Sequence, residues 1–229
     1  ESDRAVTFAL AALWRSRFDF NAGKKESCKS FEWHDEYHGS ACVRTEKNIR
    51  SWTWLAGKTP FGLCIPLDDS SLAEWDFNMS GELKGTGARY GYKLLSYKES
   101  CFKGGFTTMG KVQVHSITQT GEGQQDDKSL EEQIAFAALP DGSTVICMQY
   151  AKSLFRIYLR EVKGLMFSIP NDIFNNFSRR VSTPRKSIEL KGLDAPHGII
   201  TLDSKIVNID DKISVELLYG SDSLFVNRP

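Results

Sequence analysis

Along most of the chain, apolar residues come in short runs broken by Gly, Pro, Asp or Asn. The clearest instance lies between Glu131 and Tyr150. One apolar run ends at Leu139, Pro140-Asp141-Gly142-Ser143 follows, and a second run resumes at Thr144. Pro140 fixes its own φ, Asp141 can accept hydrogen bonds from the backbone just after it, and Gly142 tolerates positive φ. This pattern predicts a β-hairpin. Leu154–Val162 and Leu165–Ile169 extend it, so about four successive strands are expected here, and their apolar content needs a second layer to cover it.

The flanking stretches follow the same pattern. Residues 79–115 alternate short apolar segments with Gly-rich turns. Within Lys111–His115, Val112 and Val114 face one way and Lys111, Gln113 and His115 the other, the period of a half-buried strand. The tail yields short strands at 187–190, 198–202, 205–209, 212–219 and 223–226, with Asp210-Asp211 as a second hairpin turn. Closely spaced short strands between turn residues are the signature of a sandwich. The fold class expected is therefore all-β, an antiparallel β-sandwich of many short strands with one or two short helices.

The helical candidates are few. In residues 4–18, Val6, Leu10, Leu13 and Trp14 fall on one helical face, while the continuous apolar run equally allows a buried strand leading into a sheet. Asn171 can cap a short helix over 171–177. Residues 71–77 fit either a strand or a helical turn. Residues 21–30 and 58–71 read as turns and loop. Residues 119–130, rich in Gly, Gln and Asp, read as a surface loop. No fixed-period repeat is present. The whole chain, 1–229, is expected to form a single large β-sandwich domain, with 117–131 as a candidate sub-boundary.

Composition narrows the function classes. A chain of 229 residues can bury roughly 70–75% of its unfolded surface without staples. Lys plus Arg is 29 and Asp plus Glu is 29, so the formal net charge is zero, which argues against a nucleic-acid or anionic-membrane surface. No apolar run reaches the ~18–20 residues of a membrane-spanning helix. The start at Glu1, with no signal-peptide pattern, is read as that of a mature or excised fragment of a larger multidomain protein. The cysteines are Cys28, Cys42, Cys64, Cys101 and Cys147. None are spaced Cys-x-x-Cys, those from Cys28 to Cys101 could hold one or two disulfides that spacing alone does not decide, and Cys147 in an apolar strand is expected to be a buried free thiol.

The candidate chemistry sits in the first third. Trp33-His34-Asp35-Glu36-Tyr37-His38 puts two histidines at i, i+4. On a helix that spacing could share a metal, but Asp35 stands where a His-Glu-x-x-His site needs Glu, and the flanking Trp33 and Gly39 do not favour helix. No metal is therefore assigned. The competing readings are a plain loop or sheet rim, or a cluster in which His34, Tyr37 or His38 moves a proton and Asp35 or Glu36 orients it. Trp52 and Trp54 alternate with Ser51 and Thr53, so both indoles share one face of a strand. They are either core or a platform for the apolar face of a sugar ring. Trp33, Tyr37, Trp52 and Trp54 form the candidate ligand-binding set.

The remaining motifs read more plainly. Asp68-Asp69, Asp126-Asp127 and Asp210-Asp211 could offer oxygens to a structural Ca²⁺, but none matches an EF-hand loop and each reads as a pair of turn acids. No other cofactor is expected. Arg179-Arg180 and Arg185-Lys186 read as a solvated turn. Asn78-Met-Ser80 and Asn176-Phe-Ser178 match the glycosylation pattern by composition. Phosphate-loop, dinucleotide and nucleophile-elbow motifs are absent.

Phe106 to Val112, followed by Gln133 to Val145, resembles the large supersandwich-type β-modules of bacterial carbohydrate-active enzymes, such as helical-toroid polysaccharide lyases and various glycoside hydrolases. The likeness spans roughly residues 80–226, and its Ala-Leu-Pro-Asp-Gly motif mostly encodes a turn. It implies an accessory sandwich module whose partners are carbohydrate or a neighbouring catalytic domain, in a secreted or periplasmic setting. In such lyases Tyr, His and Asn or Arg come largely from a helical domain, of which residues 1–20 would be the remnant here. No catalytic residue carries over by position. The alternatives are a lyase or hydrolase using the His/Tyr/acid cluster, and a structural protein-interaction module.

Overall fold

The computed structural model describes residues 2–17, 30–57, 59–68, 72, 79–80, 84–85, 89–120, 123–154, 162–168, 178–191, 198–220 and 225–228. In chain order the elements are α1 (Ser2–Arg17), β1 (Phe31–Asp35), β2 (Ser40–Arg44), β3 (Asn48–Thr53), β4 (Phe61–Pro66), β5 (Met79–Ser80), β6 (Lys84–Gly85), β7 (Arg89–Phe102), β8 (Gly105–Thr120) and β9 (Gly123–Ala138). There follow β10 (Val145–Ser153), β11 (Val162–Lys163), β12 (Met166–Phe167), β13 (Ser178–Ser182), β14 (Ser187–Lys191), β15 (Gly198–Thr201), β16 (Ile206–Ile209), β17 (Ile213–Glu216) and β18 (Phe225–Arg228).

The strands form antiparallel sheets, as the alternation predicts. The first sheet has the order β1-β2-β3-β4-β5-β12 and the second the order β10-β9-β8-β7. They face each other across a core of Ala41, Val43, Trp52, Trp54, Phe106, Val112, Ile134, Phe136 and Ala138. The period of two decides which residues enter it: Phe106, Thr108 and Val112 of β8 are buried, while Met109 is exposed, and Val114 on the same face forms a small cluster with Leu130. Val112 and Val114 thus face inward as expected, and Gln113 is buried on the other side. A third sheet, β14-β13-β16-β17, builds a second core of Val181, Val207 and Ile209 with Leu72 and Leu202, and Phe167 packs against it. Two short pairs, β6–β11 and β15–β18, complete the sheets.

Both expected hairpins form. Between β9 and β10, Asp141 Oδ1 accepts hydrogen bonds from the Ser143 and Thr144 N–H groups at 2.9 Å each, and Gly142 adopts φ +82°. Between β16 and β17, where Ile209 pairs with Ile213 across a three-residue loop, Asp210 and Asp211 both take positive φ, 53° and 56°, and Lys212 N–H closes the turn on Ile209 O at 2.9 Å.

Of the two readings open for the N-terminal segment the helix forms, 16 residues long, and its described side chains, residues 6–17, are exposed. Ala content and unbroken helical spacing outweigh the apolar run. Other expectations need correction. Residues 119–130 are not a loop: β8 runs to Thr120 and β9 starts at Gly123, with Thr120 opposite Gly123. The proposed sub-boundary at 117–131 therefore falls within paired strands, and Asp126-Asp127 lies in β9 rather than in a turn. Partner strands supply hydrogen bonds that a polar composition does not forbid. Likewise 89–120 forms strands of 14 and 16 residues rather than several short ones. They register through bulges at Leu94/Ser96 and Val114/His115, which add local twist. The helix expected at 171–177, Cys28 and most of 71–77 lie outside the described residues.

A polar cluster closes one end of the sandwich. Arg50 on β3 is fully buried, and its guanidinium donates to Leu139 O at 2.6 Å, Thr144 O at 3.2 Å and Gly104 O at 3.5 Å. Thr45 Oγ1 donates to Gly142 O at 2.8 Å and Asn48 Nδ2 to Ser143 O at 3.2 Å. The first sheet thereby grips both turns of the second.

Asp141 supports that turn, and its hydrogen bonds to the Thr144 hydroxyl and to the Ser143 and Thr144 amides hold its carboxyl at about 2 instead of 3.8. A depressed carboxylate contributes stability above its unfolded pKa and loses it as pH falls through the folded one. Urea unfolding followed between pH 5 and about pH 2 is expected to show a stability decrease that Asp141→Ala flattens. Equal acid slopes in the two proteins would contradict this assignment.

Candidate functional site

The candidate residues gather where edge strand β1 meets the turn leading into β2. In β1, His34 pairs with Ala41 and Trp33 with Cys42. Ala41 belongs to the core, so Glu32 and His34 face the second sheet while Phe31, Trp33 and Asp35 face outward. His34 Nε2–H donates to Glu99 Oε2 at 2.8 Å, and Glu32 Oε1 accepts from the Gly104 amide at 2.5 Å. The Glu99 side chain is only 6% exposed. Burial pushes its pKa up, the His34 bond pulls it partly back, and the Asp35 charge adds to the rise. Glu99 Oε1 has no partner among the described residues.

The turn is fixed by its own side chains. Asp35 Oδ1 accepts from the Tyr37 amide at 2.9 Å and the His38 amide at 3.4 Å, while Oδ2 accepts from His38 Nδ1–H at 2.5 Å. The bond to His38 chiefly holds the Asp35 carboxyl below its ordinary range. Gly39 closes the turn at φ +55°, and a Cβ there would stand 2.8 Å from the Tyr97 ring. Tyr97 in turn donates to Glu36 O at 3.2 Å and stacks on Trp54 with centroids 6.2 Å apart. The amides of Trp54 and Leu55 donate to Gly39 O and His38 O at 3.0 Å each. The turn is thus tied to β3 and β7.

This arrangement presents two kinds of group to solvent. Tyr37 is 82% exposed and Trp33 51% exposed. The Tyr37 ring meets His38 edge-on at 4.8 Å. With Nδ1 committed to Asp35, His38 is left with Nε2 as its other ring nitrogen, the arrangement used by oriented histidine bases. The two histidines serve different carboxylates, Glu99 of β7 and Asp35 at the end of β1, and lie on a strand and a turn, so the helical metal spacing does not arise. No group of three or more His, Cys, Asp or Glu able to hold a metal occurs among the described residues.

Trp52 and Trp54 do not join this surface. Trp52 lies on β3 and Trp54 one residue past its end, and both point into the core, 1% and 3% exposed. Trp52 stacks on Phe136 at 5.0 Å, and Trp54 Nε1–H donates to Thr108 Oγ1 at 2.6 Å. Gly110 on β8 makes room for Trp54: a Cβ there would lie 2.5 Å from the indole. Their removal from the ligand set follows from β3 being an interior strand of a covered sheet, whereas β1 is an edge.

The other candidates have structural roles. Asp68 pairs with Lys212, Asp210 with Arg179 at 3.0 Å, and Asp211 with Arg180. These turn acids spend their carboxylates on cations of the protein. Arg179 is nearly buried on β13 and is not part of a solvated turn. Among the described cysteines, Cys42, Cys101 and Cys147 are free thiols. Burial raises Cys64 to about 11 and Cys147 to about 12, which removes them as thiolate nucleophiles.

A cavity of about 110 Å³ lies beside the site, lined by Glu32, Trp33, His34, Cys42, Cys101, Gly105 and Phe106. Pockets that engulf a ligand run to roughly 300–1,000 Å³, so this site is suited to contact at a surface. Sequence reading misses Glu99 and Tyr97, which reach the site from 65 and 61 residues away. The available signal was the alternation Tyr97, Glu99, Cys101, which puts all three on one face of β7.

No described helix is long and apolar enough to cross a membrane. Comparison with protein-family models, with curated proteins and with solved structures finds no match.

Gly39→Ala tests the turn. Positive φ and the Tyr97 contact together are expected to cost about 1–2 kcal/mol or more, read from the urea midpoint, with loss of the Tyr37–His38 contacts by NMR. An unchanged midpoint would show that Gly39 and Tyr97 do not set this turn.

Proposed function

We propose that the chain is an accessory β-sandwich module of a bacterial carbohydrate-processing protein, secreted or periplasmic, that contacts glycan through Trp33 and Tyr37. The observation that carries this reading is the pair of exposed aromatic side chains on a braced edge strand and turn, bordered by Asp35, Glu36 and His38. Aromatic rings favour the C–H face of a sugar, and the surrounding carboxylates and imidazole can accept or donate to its hydroxyls. A shallow surface suits holding a polymer alongside a neighbouring catalytic domain. The stretches that resemble supersandwich modules, 106–112 and 133–145, belong to adjacent strands of the second sheet, which is compatible with the likeness and does not by itself identify the family.

A second reading draws on a different observation. The Asp35–His38 pair, with Tyr37 beside it, has the form of an oriented acid–base group, so the same edge would serve a lyase or glycoside hydrolase. The absence of an enclosing cleft among the described residues at this edge favours the binding reading.

Binding to a panel of neutral and uronate polysaccharides separates the two. The Trp33→Ala, Tyr37→Ala double variant is expected to bind at least about tenfold more weakly than wild type, with an unchanged melting temperature because both side chains are exposed. Failure of the wild-type chain to bind any of the glycans would sink the leading reading. Release of reducing ends or unsaturated products, abolished by His38→Ala, would establish the second.

A further inference from the structure

Two loops meet at one end of the third sheet. Val181 of β13 and Leu202 just after β15 are both buried in the second core. Within two residues each leads into exposed chain: the β13–β14 turn, Thr183-Pro184-Arg185-Lys186, and the approach to β16, Asp203-Ser204. Both loops are stiffened by their own hydroxyls. Thr183 Oγ1 accepts from the Arg185 and Lys186 amides at 3.3 and 3.0 Å, and the Thr183 amide donates to Lys186 O at 2.7 Å. Ser204 Oγ accepts from the Ile206 amide at 3.1 Å and donates to Ile206 O at 2.7 Å. Asp203 takes φ +48°, a left-handed conformation that a residue with a Cβ holds at a cost and that recurs at ligand clamps.

Between these loops lies a cavity of about 290 Å³, lined by Thr183, Pro184, Arg185, Asp203 and Ser204. It is more than twice the size of the one beside the β1 edge and close to the lower end of the roughly 300–1,000 Å³ of ligand pockets. At the opposite end of the same sheet, Asp210 and Asp211 spend their carboxylates on Arg179 and Arg180. Arg185 and Asp203 behave differently. They line one cavity, yet among the described residues neither side chain has an ion pair or a hydrogen bond. The space between them is left for a molecule that offers acceptors to one and donors to the other. Lys186 and Lys205 flank the loops and are not part of the lining. Leu217 N–H donates to Lys205 O at 2.8 Å, so Leu218 and Tyr219 leave the sheet beside the second loop, 72% and 94% exposed.

We infer that this cavity is a second saccharide site, for a sugar without net charge. The choice of a saccharide rests on the carbohydrate reading above, while the place and polarity of the site do not use the β1 edge. A guanidinium only donates and a carboxylate only accepts. Adjacent hydroxyls of one sugar ring fill both roles, accepting from Arg185 and donating to Asp203. The lining holds one cation and one anion, so an uncharged ring meets no repulsion, whereas the carboxylate of a uronate is opposed by Asp203. Pro184 adds apolar surface to the lining, and Tyr219 beside the loop offers a ring to the C–H face of the sugar. Both walls are braced before any ligand arrives, so little ordering is needed on binding.

Amide NMR titration of the full chain tests it, with neutral oligosaccharides of glucose, xylose and mannose as probes up to about 20 mM and sodium glucuronate as the charged control. At least one neutral probe is expected to move the Thr183, Arg185, Asp203 and Ser204 amides more than glucuronate does. Asp203→Asn, which keeps a residue tolerant of the left-handed backbone, and Arg185→Gln are each expected to weaken that response at least about tenfold. Both variants are expected to melt as wild type does, because both side chains are exposed. No response at these amides to any neutral probe overturns the site, and a response to glucuronate alone overturns its ligand class. A response that neither variant weakens overturns Arg185 and Asp203 as the recognising groups. The Trp33 indole and Tyr37 amide signals report the β1 edge in the same titration. Movement there alone sinks this second site and spares the first, and movement here alone does the reverse.

Discussion

One buried cation does more than any other single group to set how the two principal sheets lie on each other. Arg50 sits on the interior strand β3, and its guanidinium reaches carbonyls in both hairpin turns of the second sheet, at Gly104, Leu139 and Thr144. Burial pulls its pKa down, as expected for a charge taken out of water. That cost is tolerable because carbonyl oxygens, themselves in need of donors, surround it. The apolar core is non-directional and would accept small slides of one sheet over the other. The Arg50 contacts are directional and permit one arrangement.

The geometry of the β1 edge follows from that arrangement. Gly104 is held on one side by Arg50 through its carbonyl and on the other by Glu32 through its amide. β7 leads into this turn, and with the turn fixed, Glu99 and Tyr97 stand opposite His34 and Glu36. An edge strand with exposed outward side chains would otherwise have little to order it. Here the inward side of β1 is tied down by polar contacts, so its outward side can carry Trp33 and the adjoining turn can carry Tyr37. The core tryptophans contribute indirectly: Trp54 supports Tyr97, and Tyr97 packs over Gly39.

Much of the fold was legible because it is written locally. Pro140-Asp141-Gly142 and Asp210-Asp211 encode turns in three or fewer residues, and the alternation of Val112 and Val114 encodes a face. Misreadings arose where partners decide. In the Gln- and Asp-rich stretch, 119–120 and 123–130 become strand because β8 and β9 pair along their full length, and composition does not report pairing. Trp52 and Trp54 were placed on one face correctly, but whether that face meets water or another sheet depends on residues 50 or more positions away, such as Thr108 and Phe136. The His/Tyr/acid cluster could be located from spacing alone, and Asp35 beside His38 could be anticipated. Glu99 could not, since only the lateral order of strands brings it to His34. Arg50 looked like any strand arginine, because its acceptors are turn carbonyls 54 to 94 residues distant.

The most direct test of this account is native-state hydrogen exchange on Arg50→Met, which keeps an unbranched side chain but deletes every donor. Leaving buried carbonyls unpaired is expected to cost about 3 kcal/mol. Protection should fall first at Gly104 and at Leu139 to Thr144, and then at the Trp54 and Leu55 amides that hold the β1 turn, with the centre of β8 and β9 least affected. Unchanged protection at both hairpin turns and at Trp54, together with an unchanged unfolding midpoint, would contradict the claim that Arg50 sets the registry of the sheets.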